Sequence, residues 1–185
     1  FGDGVAGIIG LADEIKPDSS AAIASLKQMQ IEPVMLTGDT ELSARVVADA
    51  VQIQTVYGGL LPQDKAQCIQ DLKKHYTGVA MVGDGVNDAP ALAMASVSIA
   101  MGAAGSDTAI ETANIALMND HLSLIPYLIR LGRATVRTIK FNTIAAIAIK
   151  LFFVMLAVFG YSNLVFAIAA DVGVTIVVIL ISLRL

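Results

Sequence analysis

Two long apolar runs close the chain, and they restrict its fold more than anything before them. Between Phe141 and Phe159 the only charge is Lys150, and between Leu164 and Leu183 the only charge is Asp171. Each run is about 20 residues, the length that carries a helix across the hydrocarbon of a bilayer. Backbone N–H and C=O groups in lipid must pair within their own segment, so helix is the state such a run adopts there. Gly160-Tyr161-Ser162-Asn163 between them predicts a tight turn, hence a two-helix transmembrane hairpin. Arg130, Arg133, Arg137 and Lys140 precede the first run at spacings of 3, 4 and 3, which is one face of a helix. Positive charge marks the cytoplasmic ends of spans, and Arg184 after the second run agrees.

These runs explain the composition. Of 185 residues 56% are hydrophobic, and the mean hydropathy is +0.72. The first 120 or so have ordinary globular composition and can bury one core. Net charge is −4, so no global basic field points to nucleic acid. The single cysteine, Cys68, excludes an intrachain disulfide and fits a reducing compartment. No charged, apolar and cleavable leader is visible. The chain opens at Phe1 inside a predicted strand without an initiator Met, and is expected to be a piece of a longer polypeptide.

Ahead of the apolar runs, short apolar strands alternate with helical segments. Strands are predicted at Gly4–Leu11, Ile31–Leu36, Thr55–Tyr57, Val79–Val82, Val97–Ala100 and Asn114–Leu117. Helices are predicted at Asp18–Gln30, capped by Asp18 or Ser19, and at Glu41–Val51, Pro62–His75, Asp88–Ala95 and Ser106–Thr112. This alternation predicts an α/β domain with a parallel sheet covered on both faces. The expected division is a head over residues 1–122, a basic juxtamembrane helix over 123–140 and the hairpin over 141–185. Pro126 fits either the first turn of that helix or a kink in it.

Val82-Gly83-Asp84-Gly85-Val86-Asn87-Asp88-Ala89-Pro90 is the densest chemical signal. It follows the apolar run Val79-Ala80-Met81-Val82, so Asp84, Asn87 and Asp88 are placed at the C-terminal rim of a sheet, where open α/β folds bind ligands. Two carboxylates and an amide suit Mg²⁺, a hard cation held by carboxylates, water and substrate phosphate. The competing reading is a surface turn, because Asp-Gly is a turn signal.

Thr37-Gly38-Asp39 also follows a predicted strand. Thr37 offers a hydroxyl and Gly38 an unhindered N–H to phosphate oxygens, while Asp39 can orient a lysine or a ligand hydroxyl; alone, such a triplet more often caps a helix. Lys65, in the first turn of a polar helix, would ordinarily be solvated. Its interest is that a phosphate site needs a cation and that it lies between the two acidic loops. Gly2-Asp3-Gly4-Val5-Ala6-Gly7 matches a dinucleotide-binding pattern, yet strand-like Ile8-Ile9-Gly10-Leu11 follows where a helix is required, which argues against that use.

Taken in order, Leu11-Ala12-Asp13, Lys16-Pro17-Asp18, Met35-Leu36-Thr37-Gly38-Asp39-Thr40, Pro62-Gln63-Asp64-Lys65 and Gly83-Asp84-Gly85-Val86-Asn87-Asp88 resemble the phosphorylation domain of P-type ATPases, a haloacid-dehalogenase-like, Rossmann-like fold. The resemblance covers essentially the whole chain, since that family closes with such a helix pair. It implies that Asp84 coordinates Mg²⁺ with Asn87 and Asp88 in support. It further implies that Thr37 contacts the phosphoryl oxygens and that Lys65 neutralises charge on a phosphorylated aspartate. Phosphoryl transfer is mostly positioning and electrostatic stabilisation, which agrees. The family's nucleophilic Asp-Lys-Thr-Gly run is absent, so ATP binding at the adenine and the phosphorylated aspartate are assigned to upstream polypeptide. This chain alone is expected to be inactive.

Within the apolar runs, Lys150 and Asp171 each lie about 12–15 Å from the turn at 1.5 Å per residue, at matching depth near mid-membrane. Such charges are costly in lipid, at about 2.5–3.5 kcal/mol each, and mark ion paths. They read either as a stabilising pair or as an ion site with Asp171 as ligand and Lys150 as countercharge. Ala170-Asp171-Val172-Gly173-Val174-Thr175 and Ser182-Leu183-Arg184-Leu185 are similar to the zinc/cadmium/lead-exporting branch, and Lys150 matches its membrane lysine. The resemblance therefore implies a multi-pass pump in the plasma or inner membrane, with the head and C-terminus cytoplasmic and a divalent metal as cargo. Other readings are a membrane-tethered phosphatase of the same superfamily, a copper-type pump, or a non-catalytic membrane subunit.

Overall fold

The computed structural model describes residues 14–84, 87–102, 110–111, 113–160 and 164–183; the side chains of 164–167 and 170–171 lie outside that set. The predicted strand Gly4–Leu11, the Gly2–Gly7 pattern, Gly85-Val86, most of the predicted helix Ser106–Thr112, the turn residues 161–163 and Arg184 fall outside it as well. The chain divides into two compact units, residues 1–126 and 127–185.

In the first unit α1 (Ser19–Gln28) buries Ala22, Ile23 and Leu26, a stripe at helical spacing. It ends where Gln30 takes φ 61 and Ile31 N–H returns to the Leu26 carbonyl at 3.1 Å. Ile31 is thus part of the helix terminus, and Pro33 has no N–H to give a ladder. This is why β1 is only Val34–Leu36 rather than the longer strand the sequence predicts. α2 (Glu41–Ala50) leads to β2 (Thr55–Tyr57), which pairs with β1 in parallel, Val34 facing Thr55.

α3 (Pro62–His75) carries Pro at its first position, where no N–H bond is due, and Lys73, Lys74 and His75 in its last turn, complementing the helix dipole. β3 (Ala80–Gly83), α4 (Ala89–Met94), β4 (Val97–Met101) and β5 (Ile115–Leu117) follow. They form a second parallel sheet in the order β3-β4-β5. Its register is pinned by a part-buried polar knot. Asn114 Oδ1 accepts Ser98 N–H and Oγ–H at 3.0 and 2.9 Å, and Asn114 N–H returns to Ser98 Oγ at 2.9 Å.

Ile69 of α3, Met81 of β3 and Ala91 and Leu92 of α4 form one buried cluster, against which Leu36 of β1 also packs. The two small sheets therefore share a core. Burying Ile69 and Leu92 contributes about 1.5–3 kcal/mol each.

The second unit is helical. α5 (Leu124–Val158) begins in the last residues of the first unit and runs 35 residues without a break, so the basic segment and the first apolar run are one helix. Pro126 sits in its first turn, where its missing N–H costs nothing. α6 is Leu164–Ser182. Among the described residues, α5 is the helix long and apolar enough to cross a membrane. Ile144 and Val158 are 68% and 76% exposed, whereas Asn142 is 6% exposed. Asn142 Nδ2 donates to Ser182 Oγ at 3.0 Å, and that hydroxyl donates to the Val178 carbonyl at 2.9 Å.

Candidate functional site

Both acidic loops leave the C-terminal ends of parallel strands, Thr37-Gly38-Asp39 after β1 and Asp84 after β3. The first loop is held by backbone bonds to the segment after β2. Thr37 N–H donates to the Tyr57 carbonyl at 3.0 Å, Gly59 N–H to Asp39 O at 2.6 Å, and Leu60 N–H to Thr37 O at 3.0 Å. A Cβ on Gly58 would come within 2.6 Å of the Glu41 Cα, so only glycine allows this approach. Thr37 Oγ1 donates to Asp39 Oδ2 at 3.0 Å and accepts Asp39 N–H at 3.1 Å. Asp39 therefore orients the threonine. The helix cap expected of the triplet belongs to its neighbour, because Thr40 Oγ1 accepts Ser43 N–H. Likewise Asp18 stands at the head of α1 but does not cap it. Its carboxylate accepts Ser123 N–H at 3.1 Å instead, and that bond holds its pKa below the ordinary carboxylate value.

In the second loop Asp84 Oδ1 accepts Asn87 N–H at 3.1 Å, and Asp84 Oδ2 accepts Asn87 Nδ2 at 3.2 Å. Asp88 turns back toward the strand end, where a Cβ on Gly83 would lie 2.6 Å from its Oδ2 and 2.8 Å from its Cβ. The glycine makes room for the carboxylate. Lys65 Nζ donates to Asp88 Oδ1 at 2.7 Å, with both side chains 15% exposed. Lys65 is thus not the solvated lysine its polar helix suggests. Asp64 fixes that turn by accepting Leu61 N–H at 3.0 Å.

The geometry joins the predicted residues as three bonded pairs, Thr37–Asp39, Asp84–Asn87 and Lys65–Asp88. α3 links the loops, since its N-terminus continues the segment bound to Thr37 and its first turn carries Lys65 to Asp88. Gly83, Gly58 and Asp64 are supporting residues that sequence reasoning missed; the glycine before Asp84 was the one visible signal.

Among the described residues no three His, Cys, Asp or Glu side chains converge on a point. The set Asp84, Asn87 and Asp88 still fits Mg²⁺, which takes one or two carboxylates and fills its remaining positions with water and phosphate. Each carboxylate has about four lone-pair positions, more than these bonds use. Burial, with Asp71 and Asp64 nearby, pushes the Cys68 thiol up.

Lys150 lies exposed on α5, and Asp171 lies on α6 with its side chain outside the described residues.

Residues 2–96 match the haloacid dehalogenase-like hydrolase family. The chain is 47% identical over 182 residues to the cadmium-transporting ATPase of Staphylococcus aureus, covering 98% of this chain and 25% of that protein. It is 42% identical over 180 residues to the probable cobalt/nickel-exporting P-type ATPase of Mycolicibacterium smegmatis, covering 97% and 28%. The crystal structure of a zinc-transporting PIB-type ATPase in its E2.Pi state superposes with a TM-score of 0.86 at 38% identity, over 93% of this chain and 28% of that one. The chain thus spans about a quarter of the length of the curated relatives it matches.

Proposed function

The chain belongs to the haloacid dehalogenase-like hydrolase family, and from that premise we propose that it is part of an ATP-driven P-type pump exporting Zn²⁺, Cd²⁺ or Pb²⁺ through an aspartyl-phosphate intermediate. The observation that carries this reading is the Lys65–Asp88 ion pair, 2.7 Å long and 15% exposed on both sides, beside the Asp84–Asn87 pair. Cation, carboxylates and amide at the rim of a parallel sheet are what a transferring phosphoryl group needs around it.

Asp84 and Asp88 would hold Mg²⁺, which when bound supplies positive charge to the phosphoryl oxygens. Asn87 keeps the Asp84 carboxylate oriented. Lys65 is held by Asp88 against the charge that develops on an acyl phosphate formed elsewhere in the polypeptide. Thr37 and Gly38 donate to phosphoryl oxygens. The Thr37 hydrogen must then swing away from Asp39, whereas the Gly38 N–H needs no such rotation. Nucleotide adenine and the nucleophilic aspartate are supplied by polypeptide outside this chain. The apolar helices cross the membrane with the head on the cytoplasmic side; Asp171 ligates the cargo, and Lys150 is the countercharge that favours its release.

Two measurements test this in the full polypeptide. Asp84→Ala should lower Mg²⁺-dependent phosphoenzyme about 10²–10³-fold, the scale for losing one electrostatic anchor; normal phosphoenzyme at ordinary Mg²⁺ would reject the metal role. Asp171→Ala should abolish metal-stimulated ATP hydrolysis across Zn²⁺, Cd²⁺, Pb²⁺, Co²⁺ and Ni²⁺. Unchanged stimulation would reject the ligand role, and a wild-type response to Co²⁺ or Ni²⁺ alone would overturn the cargo assignment.

A further inference from the structure

The half of α5 that leads into the first apolar run carries charge of one sign. From Leu124 to Val158 the helix holds Arg130, Arg133, Arg137, Lys140 and Lys150 and no Asp or Glu. A helix face that is merely solvated usually sets carboxylates three or four residues from its cations; this one offers none. At about 100° per residue, Arg133, Arg137 and Lys140 fall within an arc of about 60°. With Gly132 and Val136 they line a shallow groove of about 430 Å³. Val136 and Gly132 belong to its lining, and a Cβ on Gly132 would meet nothing within 4 Å. The surface that lines the groove is chiefly apolar, much of it the methylene stems of the cations, and Arg137 and Lys140 are exposed.

We propose that this groove binds the phosphodiester headgroup of an anionic phospholipid. The inference rests on the membrane reading given above. Depth supports it. Lys140 and Arg137 precede Phe141 by about 1.5 and 6 Å of helix. The headgroup region is about 5–8 Å thick on each side of the hydrocarbon. Arg133 stands just over one turn, about 6 Å, beyond Arg137 on the same face. Chemistry supports it too. A guanidinium fork meets two phosphate oxygens at once, and the ammonium of Lys140 adds a point charge from the membrane side. Val136 and the methylene stems of the cations present apolar surface to the first carbons of an acyl chain. An anion without such a tail would use the cations and leave this apolar lining unused.

The test uses the full polypeptide transferred from detergent into nanodiscs of phosphatidylcholine, alone or mixed with phosphatidylglycerol, with retained lipid counted by native mass spectrometry. Wild type should keep phosphatidylglycerol in preference to phosphatidylcholine. R137Q/K140Q should weaken that retention about 30-fold, the equivalent of about 1 kcal/mol per cation near an anionic surface. R137K/K140R should restore most of it. Retention by wild type should also fall as salt screens the cations. This measurement needs no variant to fold. Equal retention by R137Q/K140Q, salt-independent retention, or complete displacement by inorganic phosphate would each overturn the proposal. So would protection of cysteines placed at 137 and 140 from a water-soluble reagent in pure phosphatidylcholine, which would show the face covered by protein. Failure of wild type to enter nanodiscs of either composition would defeat the membrane reading itself, a different result from entry without lipid preference.

Discussion

The head and the helical unit put the same residue types to opposite uses. In residues 1–126 a core forms, with Ile69 and Leu92 at 2% and 1% exposure, and carboxylates gather at strand ends. In residues 127–185 Ile144 and Val158 are 68% and 76% exposed, and Asn142 is inside at 6%. Apolar surface facing water forgoes about 25 cal/mol per Å², so the second arrangement is favourable only where something other than water covers it. Polar groups follow the reverse rule. Lys65 and Asp88 can be drawn together because each satisfies the other, and the open rim keeps water and ligand within reach. Asn142 Oδ1, by contrast, is a buried acceptor with no hydrogen-bond partner among the described residues.

That contrast can be broken by substitution. The largest effect is expected at the ion pair. Lys65→Ala leaves the Asp88 carboxylate mostly buried and unpaired and should cost about 3 kcal/mol. Lys65→Ala/Asp88→Ala should cost little more than either change alone; additive losses in denaturant midpoints would show that the pair does not act as a unit. A smaller effect is expected at the hairpin. Ser182→Ala deprives Asn142 Nδ2 of its acceptor and should cost about 1–2 kcal/mol. Asn142→Leu removes the donor and the orphaned oxygen together and should be close to neutral. Thermal unfolding in detergent that ranks Asn142→Leu as the worse of the two would refute this. The smallest effect concerns acid. The Ser123 N–H lowers the Asp18 pKa and Lys16 lowers that of Asp120, so both carboxylates stabilise the fold above the usual value of about 3.9. This contribution is lost as pH falls through the lowered values. Protection of the Ser123 amide, relative to its intrinsic exchange rate at the same pH, should therefore fall in that acid range, and Asp18→Asn should flatten the response. An unchanged pH profile in Asp18→Asn would exclude the bond as its cause.

Parallel strands and intervening helices were legible because apolar runs of three to six residues and turn residues are local signals. Both acidic loops were legible for the same reason, as each follows a strand. What escaped the sequence was which groups meet. Lys65 and Asp88 are 23 positions apart, and on its own helix the lysine has the pattern of a solvated residue. Asp18 has the pattern of a cap, yet its oxygen serves Ser123, 105 positions away. β1 is short because Ile31 closes α1, a competition between helix end and strand that periodicity does not rank.

By itself the sequence determined that the chain has two parts of very different hydropathy. Local hydropathy over some twenty residues is enough to separate the two, and strand-end placement follows from a few consecutive side chains. Tertiary structure alone decided that the first turn of α3 carries a lysine onto the carboxylate behind β3, that Gly83 yields the space for it, and that Asn142 and Ser182 meet across the helices. Those outcomes depend on approach distances of a few ångströms between distant segments, and such distances are set by packing, which no local pattern encodes.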